Sequence, residues 1–194
     1  MIYQLFCKKC NNSLSFDDSE KKSKICRCSF CGYDNKILDI SYKDPNSASL
    51  SNLFPHKFVI DGVTCQSMES FIQSLRVREE FIQREICENY SGYMGYKMRL
   101  SLPDWRKKGY VYWKGKSILR DSEDYNQLVT KAYEQLFYQN LVFRYCLINH
   151  KDDVLFHTIG CTDKKETLLT QDEYISQLNK LIELLEAMRK ISGI

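Results

Sequence analysis

Two pairs of cysteines near the start of the chain carry its most explicit chemistry. Cys7 and Cys10 have Cys-x2-Cys spacing, and so do Cys28 and Cys31. Thiolates are soft donors that zinc gathers into a tetrahedron. Gly32 follows the second pair, where it lets the chain turn tightly while backbone N–H groups point at a sulfur. The separation of the pairs matches the two knuckles of a zinc ribbon, so the expected ligands are Cys7, Cys10, Cys28 and Cys31. Cys26 is the rival ligand, although it lies too close to Cys28 to form the usual knuckle with it. Iron is the other metal such a set can take, but no context that would tune a redox potential is readable. With four sulfur ligands no position is open to water. The metal then supplies folding energy rather than chemistry, and no catalytic cofactor is expected.

A second constellation is Glu69, Gln73 and Arg76. Spacings of four and seven place all three on one side of a helix. A carboxylate, an amide and a guanidinium on one wall are groups that orient a ribose or a phosphate. The competing reading is a solvated surface cluster. Trp105 and Trp113 can stack on a ring or fill a core, and Tyr93, Tyr96 and Tyr110 can line the same mouth. Lys97 and Arg99 can meet phosphate or sit on plain surface. His157, in Val-Leu-Phe-His, is either an acid–base group or a structural histidine. Cys65, Cys87, Cys146 and Cys161 read as packing thiols.

The elements that must position these groups follow from periodicity. Met68, Phe71, Ile72, Leu75, Ile82 and Ile86 predict one amphipathic helix of about five turns, begun by Ser67. Tyr125, Leu128, Val129, Ala132, Leu136 and Phe137 predict a second, starting near Asp121 or Ser122. Thr170 and Glu173 have capping-box spacing and open a last helix, whose buried face is Leu178, Leu181, Leu185 and Met188 and after which Gly193 falls. Phe58-Val59-Ile60 before Asp61-Gly62 and Val63 predicts a short hairpin. Asp104 after Pro103 caps a short helix. Lys-Ile-Leu-Asp-Ile-Ser-Tyr at 36–42 reads as a strand, and Asp44 to Ser47 form a turn-rich boundary. The expectation is a zinc-ribbon module at 1–44 and a mainly α domain with short strands at 45–194.

Composition narrows the classes. The chain has 194 residues, 43% hydrophobic and 27% charged, so it can bury a core. Nine cysteines, an odd number with a clustered start, argue against a secreted disulfide scaffold. No leader-like stretch or apolar run of membrane length is visible, so a reducing cytoplasm is expected and no membrane partner. A net charge of +3 gives no reason at that level to propose nucleic acid. Lys8, Lys9, Lys21, Lys22, Lys24 and Arg27 nonetheless offer a basic face on the ribbon, diluted by Asp17, Asp18 and Glu20.

Residues 51–76, SNLFPHKFVIDGVTCQSMESFIQSLR, resemble the opening motif of the NADAR superfamily, which includes riboflavin-biosynthesis-intermediate N-glycosidases. Ser51, Asn52 and Phe54 fit its start. Glu69, Phe71 and Gln73 fit its helix motif, with Arg76 in place of a lysine. Gly95, Asp104 and Trp105 resemble its tryptophan-bearing segment, where Tyr96 stands in place of an arginine. Lys131, Ala132, Phe137, Gln139, Asn140, Leu141 and Leu147 resemble its next helix. The family's Asp followed by Trp-Gly has only CTDKKETLL as a counterpart, where Asp163 can correspond. The likeness spans about residues 49–190.

The resemblance implies a compact NADAR-like helical domain that hydrolyses an N-glycosidic bond. Its substrate would be an ADP-ribosylated base or nucleic acid, or a ribosylamino-pyrimidine phosphate. Glu69 would stabilise the oxocarbenium-like sugar or activate water, and Asp163 would hold ribose hydroxyls or that water. Asn52, Phe54, Gln73, Arg76, Tyr96 and Trp105 would bind substrate. The alternative is an inactive nucleic-acid-binding or regulatory protein, which the missing Trp-Gly favours.

Overall fold

The structure, a computed structural model, describes residues 2–17 and 25–192. Lys21, Lys22, Lys24, Asp18, Glu20 and Gly193 lie outside that set. Strands β1 (Ile2–Phe6) and β2 (Ser13–Asp17) form one antiparallel ribbon, joined by the first cysteine knuckle. Strands β3 (Ile25–Arg27) and β4 (Asp34–Asp39) form the second, around the other knuckle. The far edge of β4 pairs in parallel with β9 (Val154–Phe156). Leu38 and Ile40 thereby enter the main core, so the cysteine module is stitched to the helical body through β4.

The helical body begins with hairpin β5 (Phe58–Ile60) and β6 (Val63–Cys65). Asp61 and Gly62 both have positive φ, the conformation that a tight primed turn demands. The Gln139 side chain pairs with both polar groups of Val59 and so closes an edge of β5. Helix α1 (Met68–Ser74) follows, capped by Ser67 in a reciprocal box with Ser70. The five-turn helix expected here is in fact two: α1 ends, and α2 (Glu80–Asn89) starts on a new axis. The reason is tertiary. Tyr112 N–H donates to the Leu75 carbonyl, and the Gln83 side chain donates to the Val77 carbonyl. These partners satisfy the chain between the helices without a continuing helical ladder.

Helix α3 (Gly92–Met98), which was not anticipated, packs on α1. Strands β7 (Tyr110–Trp113) and β8 (Lys116–Leu119), also not anticipated, make a hairpin. Between α3 and β7, Trp105–Lys107 form the short helix expected after Pro103, a 3-10 turn capped by Asp104. Helix α4 (Glu123–Gln139) starts at Ser122, and α5 (Leu141–Asn149) at Asn140. Helix α6 (Gln171–Ser192) starts at the predicted Thr170–Glu173 box, with bonds of 3.1 and 2.8 Å. Leu178, Leu181 and Leu185 are buried on it, but Met188 is 41% exposed, because the helix outruns the core there. The result is a mainly helical domain with short strands. No helix among the described residues is long and apolar enough to cross a membrane.

Gly92 shows how tightly the helices close. Its φ is +51°, and a Cβ there would lie 2.3 Å from the Leu53 carbonyl oxygen. Gly92→Ala should therefore destabilise the fold by about 1–3 kcal/mol through backbone strain and overpacking. A lower denaturation midpoint in urea with an unchanged slope checks this.

Candidate functional site

The four knuckle sulfurs lie within 4.8 Å of one another. Cys7 and Cys31 sulfurs are 3.7 Å apart, as are those of Cys10 and Cys28. Zinc–sulfur bonds of the usual length give a tetrahedron with edges of about 3.8 Å. Cys7, Cys10, Cys28 and Cys31 are thus positioned to chelate a metal ion, with the donor set of a structural zinc site. Asn11 and Gly32, both at positive φ, follow the same position of each knuckle. Their amides donate to the Cys7 and Cys28 carbonyls at 2.8 and 2.9 Å. Asn12 and Asn35 amides donate to the Cys10 and Cys7 sulfurs. Burial works to raise the Cys7 thiol pKa, but N–H groups of Cys10 and Lys9 and the Asn35 amide outweigh it and bring it to about 6. Cys26 lies outside the group, its thiol turned to the Ser15 carbonyl and its pKa raised by burial. Of the basic face, Lys8 is tethered to the Lys151 carbonyl and Arg27 lies 3.9 Å from Asp34.

A cleft of about 560 Å³ opens in the helical body, a size suited to a small ligand. Asn52, Glu69, Gln73, Arg76, Tyr96 and Trp105 all line it. A larger groove of about 1370 Å³ lies between the first knuckle and α6, but it gathers none of these groups. Helix α1 supplies Glu69 and Gln73 to the cleft, and the residues after it supply Arg76. Gln73 Nε2 donates to Glu69 Oε1 at 2.9 Å, and Arg76 Nη1 donates to Gln73 Oε1 at 3.3 Å. The same Nη1 donates to the Arg99 carbonyl at 2.9 Å. A guanidinium thus orients an amide, which orients a carboxylate. Glu69 N–H donates to the Asn52 carbonyl, and Tyr133 O–H donates to Asn52 Oδ1 at 2.7 Å.

Burial pushes the Glu69 pKa up, against the pull of Gln73 and the Arg99 charge. The Arg76 pKa is lowered, by burial first, with Arg106 and Arg99 adding and Asp104 opposing. Arg99 lies 4.0 Å from the Tyr96 ring centroid, and Tyr96 stacks on Tyr93. Trp105 is 7% exposed, so little of its surface reaches the cleft. The wall opposite α1 comes from residues after β9. His157 Nδ1 bonds to the Ile40 carbonyl at 2.7 Å, and Thr158 bonds to both oxygens of Asp39. His157 and Tyr174 line the cleft in edge-to-face contact.

Two expected site residues stand elsewhere. Asp163 is exposed and does not line the cleft, because its oxygens cap the turn that follows. Phe54 packs beside His56 and Tyr42, outside the lining. Trp113 is core, its indole donating to Asp61, and Tyr110 lies on β7 away from the mouth. Arg106, Glu166 and Tyr174 line the cleft without having been singled out. Arg106 adjoins Trp105 and Glu166 lies in CTDKKETLL, but nothing local marks either.

Residues 44–183 match the family described as Bacteriophage protein GP30.3. A 17.1 kDa protein in the Gp30-rIII intergenic region of Enterobacteria phage T4 is 35% identical over 137 residues. The alignment covers 70% of this chain and 89% of the T4 protein. The chain belongs to the Bacteriophage protein GP30.3 family. The matched span holds every cleft residue except Tyr42 and starts after the cysteine knuckles. In fold, the chain is similar to the NMR structure of E. coli YbiA. The TM-score is 0.54 at 19% identity, over 80% of this chain and 87% of that one. YbiA has the NADAR fold, so architecture agrees with the resemblance read at residues 51–76.

Two outcomes are expected from these sites. Purified protein should carry about one zinc per chain by elemental analysis. Cys28→Ser should lose it, and Cys26→Ser should keep it. For Glu69, a raised pKa means that its contribution to stability is present below the ordinary glutamate range and lost as pH rises through the raised value. At neutral pH the ionised group therefore weakens the fold. Glu69→Gln should raise Tm there by a few degrees, at about 2–4 °C per kcal/mol for this length. The gain should vanish in acid, as read by thermal denaturation at stepped pH.

Proposed function

We propose that the chain is a hydrolase that cleaves the N-glycosidic bond of a ribose phosphate or ADP-ribose derivative. The observation that carries this reading is the oriented, half-buried carboxylate of Glu69 on the wall of the ligand-sized cleft, beside Arg76, Tyr96 and Trp105. The NADAR resemblance and the YbiA-like fold support it. In this mechanism the sugar lies against α1, with its anomeric carbon facing Glu69. As the carbon–nitrogen bond lengthens, positive charge grows on the sugar, and the carboxylate stabilises it more than it stabilises the ground state. Water adds to the anomeric carbon and the departing nitrogen takes a proton. The raised pKa makes Glu69 a stronger base for the water proton than an exposed glutamate. Gln73 and Arg76 hold both the carboxylate and the sugar or phosphate. The accessible part of Trp105 contacts the leaving group.

Asp163 takes no part in this scheme, since its carboxylate accepts the Lys165 N–H and does not itself line the cleft. That same position favours the second reading, a binding protein without turnover. The four-thiolate module braces the body through β4 in either case.

The test is release of free sugar phosphate or ADP-ribose from an N-ribosylated substrate, followed by chromatography. Glu69→Gln keeps the shape and removes the charge. It should lower kcat roughly a hundredfold or more, with KM little changed. Wild-type turnover in that variant ends the mechanism. Ligand binding without turnover by the wild type selects the second reading.

A further inference from the structure

One ion pair joins two separate segments at the mouth of the cleft. Arg106, on the 3-10 turn, donates from Nη1 to Glu166 Oε2 at 2.7 Å, and the two residues are sixty positions apart. Both line the cleft. The two sides of the guanidinium are held differently. Asp104 accepts from Nε at 2.8 Å and from Nη2 at 3.3 Å, and it also accepts the Arg106 backbone N–H. That grip is local and sets the direction of the side chain. Glu166 is exposed, and it rides on the turn that Asp163 caps. Arg106 is therefore aimed by one carboxylate and occupied by another, exchangeable one.

Arg76 also lines the cleft, and its Nε is buried with no hydrogen-bond partner among the described residues. A buried guanidinium donor without an acceptor is costly unless a ligand supplies one. Arginine donors matched in this way suit the oxygens of a phosphate.

We infer that Glu166 is an internal stand-in for the anionic group of the ligand, which displaces it from Arg106. A phosphoryl or pyrophosphoryl group takes over Nη1 of Arg106 and brings an oxygen to Arg76. Arg106 is then the residue by which the cleft separates phosphorylated ligands from neutral sugars. Glu166 sets how strongly the anion must compete. One anion replaces another on the same guanidinium, so Arg106 is never left unpaired. The inference rests on the cleft being the ligand site, as proposed above, but not on the chemistry of Glu69.

The test is a calorimetric or NMR titration of the full chain at low ionic strength. Pyrophosphate and ribose 5-phosphate are the anionic probes, and ribose is the neutral one. Glu166→Gln should tighten both anions by about two- to fivefold, the range of an exposed ion pair, and leave ribose unchanged. Added salt should shrink that gain. Arg106→Gln should weaken both anions about tenfold and cancel the gain in the double variant. Arg106→Lys should restore part of the loss, which separates lost charge from a damaged turn. Unchanged or weaker anion binding in Glu166→Gln overturns the inference. So do equal shifts for anions and ribose, or an absence of anion binding in both wild type and Glu166→Gln. No turnover is read, so a chain that binds phosphate through Arg106 and hydrolyses nothing keeps this inference and loses the catalytic one.

Discussion

Helix α1 is buried on almost every side, and the rest of the body is arranged around that demand. Met68, Phe71, Ile72 and Leu75 fill the core, but Ser70, Gln73 and Ser74 on the remaining faces are buried as well. A short helix with polar residues inside must have its polar groups met by neighbours. Ser70 and Ser74 turn back to the α1 backbone. Their small size lets α3 approach, with the Gly95 backbone lying directly on Ser70. Gln73 bonds to Glu69 and Arg76. The face left partly open after this packing is the one that carries Glu69.

The electrostatics of the cleft follow from the same packing. A carboxylate enclosed by protein resists ionisation, and nearby arginines restrain that shift without removing it. A group that weakens the fold at neutral pH persists where the strain serves chemistry or binding. The arginines are crowded too, and Asp104 and Glu166 keep that crowding tolerable.

Local chemistry was legible in the sequence, and contacts between distant residues were not. Ser67, Ser122 and the Thr170–Glu173 pair announce helix starts because a cap needs only the next turn. Asp61-Gly62 announces its turn, and the cysteine spacing announces its knuckles, for the same reason. The break after α1 depends on Tyr112 reaching Leu75, which periodicity cannot register. Glu69, Gln73 and Arg76 were readable because helix spacing and family motif coincide around α1, whereas Asn52, Tyr96 and Trp105 were marked by motif position alone. Asp163 does not line the cleft, and motif position says nothing about which way a loop carboxylate turns. Arg106 and Glu166 meet only after the chain has folded back on itself.

The parallel pairing of β4 with β9 has a consequence for the order of assembly. The Ile40 carbonyl and the His157 ring that bonds to it are 117 positions apart. Contacts so distant in the chain carry a larger loop-closure cost than the local bonds of the helices between them. During synthesis the knuckles and α1 emerge long before β9. The nascent chain can therefore hold its metal and bury α1 while one wall of the cleft is still inside the ribosome. The pocket becomes complete only when the last quarter of the protein has been made.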